Sequence, residues 1–169
     1  MNIRIAGVVN DSIVDGPGFR FTIFTQGCPH LCPGCHNPHT HDFAGGRDED
    51  TDAIIRQFSS NVLLSGITLS GGEPFCQAEA CCVLAQAAKR MGLNVWAYTG
   101  YTFEQLQAGF EQHPEWRELL ALTDVLVDGR FILEKRTLEC PWRGSSNQRL
   151  LDAKASLEAG AAVEHTLAQ

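Results

Sequence analysis

Gly27-Cys28-Pro29-His30-Leu31-Cys32-Pro33-Gly34-Cys35-His36 places three thiols within eight consecutive positions, Cys28 to Cys35. A disulfide uses two cysteines, and a structural zinc site takes four ligands. Pro29, Pro33 and Gly34 keep the run out of regular helix, so a loop is expected here. A loop can wrap a metal centre so that several sulfurs converge on it, and two centres suit the spacing Cys28-x3-Cys32-x2-Cys35. A cubane iron–sulfur cluster is usually held by four thiolates. With three, one iron keeps an open position, by the logic that leaves a catalytic zinc open to substrate. The rival is a zinc ion bound by the thiolates and one of His30, His36, His39 or His41. Inert burial of the cysteines is disfavoured, because a Pro/Gly loop offers poor burial.

Outward from this loop, short β-rich runs alternate with helix-like ones. The strand candidates are Arg20–Thr25, Gly66–Ser70, Asn94–Tyr98 and Asp124–Asp128, with a fifth near Gln148–Leu151. Between them, Ala80, Val83, Leu84, Ala87 and Met91 recur at helical spacing before Gly92. Thr102-Phe-Glu-Gln105 is a capping box ahead of Leu106 and Phe110, and Thr51 opens a helix through Ala53, Ile54 and Phe58. Alternating β and α units predict an α/β fold with a mostly parallel sheet. At about 30 residues per βα unit, the chain is too short for a closed eight-fold barrel. A partial (βα) barrel or open parallel sheet is the expectation. No repeat or linker divides the chain, so residues 1–169 are expected to form a single domain.

Each distinctive motif follows a strand candidate. The cysteine loop follows the first, Gly71-Gly72-Glu73-Pro74 the second, Thr99-Gly100-Tyr101 the third and Gly129-Arg130-Phe131 the fourth. Ligands of parallel α/β folds sit beyond the carboxyl ends of the strands, so the four motifs should share one face. Paired glycines let a ligand approach the backbone, and Glu73 supplies a carboxylate suited to an ammonium group. The plainer alternative is a tight strand-to-helix turn with Pro74 at the helix start.

The remaining sequence narrows the function class. A net charge of −7 argues against a nucleic-acid partner, and no segment is long and apolar enough to span a membrane. Ile3 to Val9 contains Arg4 and stops at Asn10-Asp11, too short for a signal peptide's apolar region. A cytoplasmic, reducing setting is expected, where seven cysteines suggest metal or redox chemistry rather than disulfides. Asp48-Glu-Asp50-Thr-Asp52 mimics a calcium loop but has Ala53 and Ser59 at the glycine and closing-glutamate positions, so a solvated acidic turn is expected. Cys81 and Cys82 read as small core residues of a helix. Cys76 and Cys140 have no spacing suited to a second cluster. Asp128 and Arg130 suit either a substrate contact or a structural ion pair. Trp142 to Gln148 suits an ordered closure or a docking surface.

The cysteine loop together with Gly71-Gly72-Glu73-Pro74 resembles the radical S-adenosylmethionine superfamily. The resemblance implies that Cys28, Cys32 and Cys35 hold a [4Fe-4S] cluster whose open iron is chelated by S-adenosylmethionine. It also implies that Gly71, Gly72 and Glu73 line the methionine, and that Gly34, Cys35 and His36 run alongside the adenosine. Many members carry an aromatic residue immediately before the third cysteine, where this chain has Gly34. Asp15-Gly16-Pro17-Gly18 with Arg20 resembles the activating enzymes of glycyl-radical proteins. Trp96-Ala97-Tyr98-Thr99-Gly100-Tyr101, Leu126-Val127-Asp128-Gly129-Arg130-Phe131 and Trp142-Arg143-Gly144-Ser145-Ser146-Asn147-Gln148 are similar to one branch, which activates anaerobic (class III) ribonucleoside-triphosphate reductase. The function implied is reductive cleavage of S-adenosylmethionine to a 5′-deoxyadenosyl radical, which installs a glycyl radical on that reductase. A reductant such as a flavodoxin-type donor is implied as a second partner. An activase of pyruvate formate-lyase type and a non-catalytic zinc module are the alternatives.

Overall fold

A computed structural model describes residues 1–166, so the last three residues of the expected 1–169 domain lie outside the described residues. In chain order the strands are β1 (Asn2–Ser12), β2 (Arg20–Thr25), β3 (Arg47–Asp50), β4 (Gly66–Gly71), β5 (Asn94–Tyr98), β6 (Val125–Asp128) and β7 (Arg149–Asp152). The helices are α1 (Thr51–Ser59), α2 (Ala78–Arg90), α3 (Phe103–Ala108), α4 (Pro114–Leu122) and α5 (Ala153–Ala159).

One mixed sheet runs in the order β3-β1-β2-β4-β5-β6-β7. Its centre, β2-β4-β5-β6, is parallel, as expected from the βα alternation. Its edges are antiparallel, which the expectation of a mostly parallel sheet left open. β1 pairs with β2, β3 with β1, and β7 with β6 in that sense. The turn Asp15-Gly16-Pro17-Gly18 joins β1 to β2, and an antiparallel pair needs no crossover helix. β3 is the run Arg-Asp-Glu-Asp, so Asp48 to Asp50 lie in an edge strand and Thr51-Asp52 open α1, in place of the expected acidic turn. Charged residues suit an exposed edge. Asp50 then caps α1 by accepting the Asp52 amide at 3.0 Å.

Strand alternation sends two kinds of side chain to two faces. Phe21, Ile23, Ile67, Leu69, Val95, Ala97 and Leu126 join the core with residues from all five helices, among them Phe58, Leu84, Leu106, Leu119 and Ala153. The other face carries Arg20, Thr22, Thr68, Trp96 and Tyr98. Arg20 is fully buried there. It donates to Thr68 Oγ1 (2.7 Å), Ile67 O (2.7 Å) and Pro17 O (3.1 Å), with its guanidinium over Trp96. Burial lowers its pKa to about 10. Thr68 Oγ1 donates in turn to the Asp15 carbonyl at 2.8 Å, which pins the Asp-Gly-Pro-Gly turn across this face.

Candidate cluster and cofactor site

A cavity of about 480 Å³ opens at the carboxyl ends of β2, β4, β5 and β6. That volume is within the usual range for small-molecule sites. Its wall includes Cys28, Cys32, Cys35, Gly71, Gly72 and Phe131. The four motifs that follow strands therefore do meet on one face.

Backbone hydrogen bonds build the cysteine loop. The Gly27 amide donates to Thr40 O (2.7 Å) and the Cys28 amide to His41 O (3.1 Å), so the segment closes on itself. Within it, the Cys35 amide donates to Cys32 O at 3.1 Å. The Asn37 amide donates to Cys35 Sγ at 3.4 Å. Burial raises the Cys28 thiol pKa, while the His30 and Leu31 amides directed at its sulfur oppose the shift. Burial likewise raises Cys32, opposed by the Phe131 amide. Three free thiols that share a cavity and receive N–H donors are a set suited to sulfur-ligated metal, because such donors stabilise thiolate charge. Among the described residues, no three His, Cys, Asp or Glu side chains are gathered tightly enough for one metal ion. A cluster is less demanding, since each thiolate binds a separate iron.

Gly71-Gly72-Glu73 forms a turn locked to the cysteine loop. The Gly72 amide donates to Thr25 O and the Glu73 amide to Gly27 O, both at 2.8 Å. A Cβ on Gly72 would lie 2.4 Å from Gly27 O, so this glycine is required by the neighbouring loop itself. Glu73 has no exposed surface, and its carboxylate is enclosed by His30, Thr99, Gly100 and the Phe75 amide, directly behind the cavity wall that the first three form. Its Oε1 is 2.7 Å from His30 Nε2 and accepts from the Gly100 amide (2.8 Å). Thr99 Oγ1 donates at 2.8 and 2.9 Å to the two carboxylate oxygens, and the Phe75 amide donates to Oε2 at 3.0 Å. This placement differs from the expected contact between the carboxylate and an ammonium group.

Gly34 sits at φ +74°, in the left-handed region that favours glycine. A Cβ there would meet Leu133 Cδ1 at 2.8 Å and Phe131 Cε1 at 3.4 Å. The Phe131 ring lies 5.1 Å from the ring of His36, which also lines the cavity.

The segment after β6 roofs the cavity. The Gln148 side chain accepts the Gly144 amide (2.8 Å) and donates to Gly129 O (3.0 Å), while Tyr98 Oη donates to Trp142 O (2.9 Å). Trp142 to Gln148 is thus an ordered closure. Asp128 is structural: it accepts the Phe103 amide at 2.8 Å and Arg149 Nε at 3.0 Å. Cys76, Cys81, Cys82 and Cys140 line no part of the cavity. Tyr98, Phe131 and Arg143 do; the sequence placed Phe131 on the ligand face and Arg143 in a closure or docking segment, but assigned Tyr98 no site role. The available signal was alternation along β5, which puts Tyr98 on the face opposite the core.

A family model for the 4Fe-4S single cluster domain matches residues 14–151. The anaerobic ribonucleoside-triphosphate reductase-activating protein of Salmonella typhi is 38% identical over 144 residues, 80% of this chain and 90% of that protein. Its counterparts in Vibrio cholerae and Escherichia coli are 37% and 36% identical, over 89% and 90% of their lengths and 80% of this chain. The crystal structure of QueE from Escherichia coli matches with TM-score 0.42 and 18% identity, over 60% of this chain and about half (54%) of that one.

Proposed function

We propose, because the chain belongs to the anaerobic ribonucleoside-triphosphate reductase-activating proteins and carries their 4Fe-4S single cluster domain, that it is the radical S-adenosylmethionine activase of such a reductase. The observation that carries this is the single cavity that unites Cys28, Cys32 and Cys35 with Gly71 and Gly72 at the strand ends. Held by Cys28, Cys32 and Cys35, a reduced cluster would supply the electron for reductive cleavage of S-adenosylmethionine, the chemistry needed to remove a hydrogen atom from a glycine of the reductase.

The chain's own part is binding, orientation and exclusion of water. Cys28, Cys32 and Cys35 would hold the cluster, and three thiolates would leave one iron open to S-adenosylmethionine. Gly71 and Gly72 offer backbone to the methionine, and Glu73 holds their turn in place. Gly34, Cys35 and His36 run beside the adenosine. Phe131 supplies the ring that many superfamily members place before the third cysteine, which fits its position against Gly34 and His36. The helix-covered sheet with its opposite face left for ligands is read as a partial (βα) barrel, with residues 1–169 acting as one domain in the cytoplasm. The partners are the reductase and a flavodoxin-type reductant.

The test is anaerobic mixing of the protein with a reductant, S-adenosylmethionine and each candidate partner. A glycyl-radical EPR signal is expected with the class III reductase. A signal with pyruvate formate-lyase alone would redirect the activity, and zinc without iron or sulfide in the purified protein would end the radical assignment.

A further inference from the structure

We infer that His30 and Glu73 form a buried clamp that sets the cysteine loop against the glycine turn, so that both are positioning residues and Glu73 is not a ligand to the bound cofactor. The inference rests on the cavity being the S-adenosylmethionine site. Glu73 has no exposed surface and the His30 side chain is 4% exposed. Their 2.7 Å contact joins the segment between Cys28 and Cys32 to the turn after β4. The same carboxylate takes the Thr99 hydroxyl and the Gly100 amide from the turn after β5. Three separate loops therefore end on one side chain.

The surroundings fix this arrangement. A Cβ on Gly100 would lie 2.3 Å from His30 Cδ2, so the imidazole occupies the space a side chain would need. The Tyr101 ring meets His30 edge-on at 4.6 Å between centroids. Tyr101 O accepts the Gly129 amide at 2.9 Å, which extends the linkage to the segment that carries Phe131. Every acceptor position of Glu73 that faces a neighbour is in use by a protein donor. For the carboxylate to meet a ligand ammonium, it would have to leave four donor groups, those of His30, Thr99, Gly100 and Phe75, buried without an acceptor. Such groups are costly to leave unsatisfied.

Outer partners that orient metal-binding loops typically change affinity about 10–100-fold when removed. The experiment uses reconstituted holoprotein, equilibrium binding of S-adenosylmethionine, and hydrogen–deuterium exchange of the protein without added ligand. His30→Ala and Glu73→Ala should each weaken binding by about tenfold or more. Each should also speed exchange in all three segments, 26–36, 71–76 and 99–101. The double variant should be little worse than the worse single one, because both remove the same linkage. His30→Gln retains a donor near the Nε2 position and should recover most of the affinity. If the alanine variants do not fold, His30→Gln and Thr99→Val carry the same comparison. Normal affinity in His30→Ala with binding abolished in Glu73→Ala would overturn the clamp and make Glu73 a direct ligand. Faster exchange confined to the substituted loop would also overturn it. Failure of the unmodified holoprotein to bind S-adenosylmethionine would strike the functional proposal instead, and the exchange comparison would still decide the clamp.

Discussion

Restoring the aromatic ring that many superfamily members carry before the third cysteine, by Gly34→Phe, should harm this protein. Any non-glycine residue at φ +74° costs about 1–2 kcal/mol. A Cβ at that position lies 2.8 Å from Leu133 Cδ1, a contact closer than real Cβ atoms make. Leu133 is 47% exposed and can move aside, so this contact adds little for alanine. A full ring must also displace Phe131, whose Cε1 is 3.4 Å from the same point and whose other edge abuts Gly144. Overpacking of that kind adds roughly 1–3 kcal/mol. Gly34→Ala should therefore cost about 1–2 kcal/mol and Gly34→Phe about 2–5 kcal/mol. For a domain of this size each kcal/mol lowers Tm by about 2–4 °C. Anaerobic scanning calorimetry reads that loss, and equilibrium binding of S-adenosylmethionine should weaken in Gly34→Phe. Combining Gly34→Phe with Phe131→Ala makes room for the new ring and should bind better than Gly34→Phe alone. Tighter binding and an unchanged Tm in the single variant would refute the assignment of that space to Phe131.

Three further outcomes are expected. Replacing Cys28, Cys32 or Cys35 by alanine should abolish iron–sulfur loading and 5′-deoxyadenosine formation, whereas Cys140→Ala should leave iron and sulfide at wild-type content by metal and sulfide analysis. Arg149→Met should lower stability by about 3 kcal/mol, because Asp128, 1% exposed, would be left as an unpaired buried carboxylate. A denaturant midpoint unchanged from wild type would contradict that role. The same arginine lowers the pKa of Glu104 by hydrogen bonding, so the folded pKa lies below the unfolded one. That contribution is complete above the unfolded carboxylate pKa and disappears as pH falls through the folded value. Arg149→Met should accordingly lose part of its deficit relative to wild type in acid titrations, while a constant deficit across that range would count against the pairing.

Local signals were legible wherever the structure is determined locally. β2 and β5 coincide with their β-branched and aromatic runs, and Thr102 caps α3 with Gln105 reciprocating. β1 was hidden because Arg4 and the Asn10-Asp11 end break an apolar run, although Ile3 and Ile5 alternate inward. β3 has no β-forming residue at all; it is a strand only because β1 supplies its partners. α4 begins at Pro114 and clusters its aliphatic residues at its end, Leu119 to Leu122, with Leu119 and Leu120 alone fully buried.

The site divides along the same line. The spacing of Cys28, Cys32 and Cys35 is a property of one short loop, so their meeting in one cavity could be expected from that loop. The direction of the Glu73 side chain depends on His30, Thr99 and Gly100, which reach it from two other strand ends. No pattern within Gly71-Gly72-Glu73-Pro74 encodes that choice, since the turn needs only a residue that can accept the Phe75 amide. Gly34 poses the converse problem. Its missing ring looked like a local loss, yet the space is filled by Phe131 and Leu133 from the segment after β6. A glycine at 34 and a ring at 131 are thus one steric arrangement: the backbone takes its left-handed turn at Gly34 at least cost without a side chain, and the cavity keeps an aromatic wall because another segment brings one. Such compensation between distant positions is invisible to motif matching, which scores each position against its own neighbours.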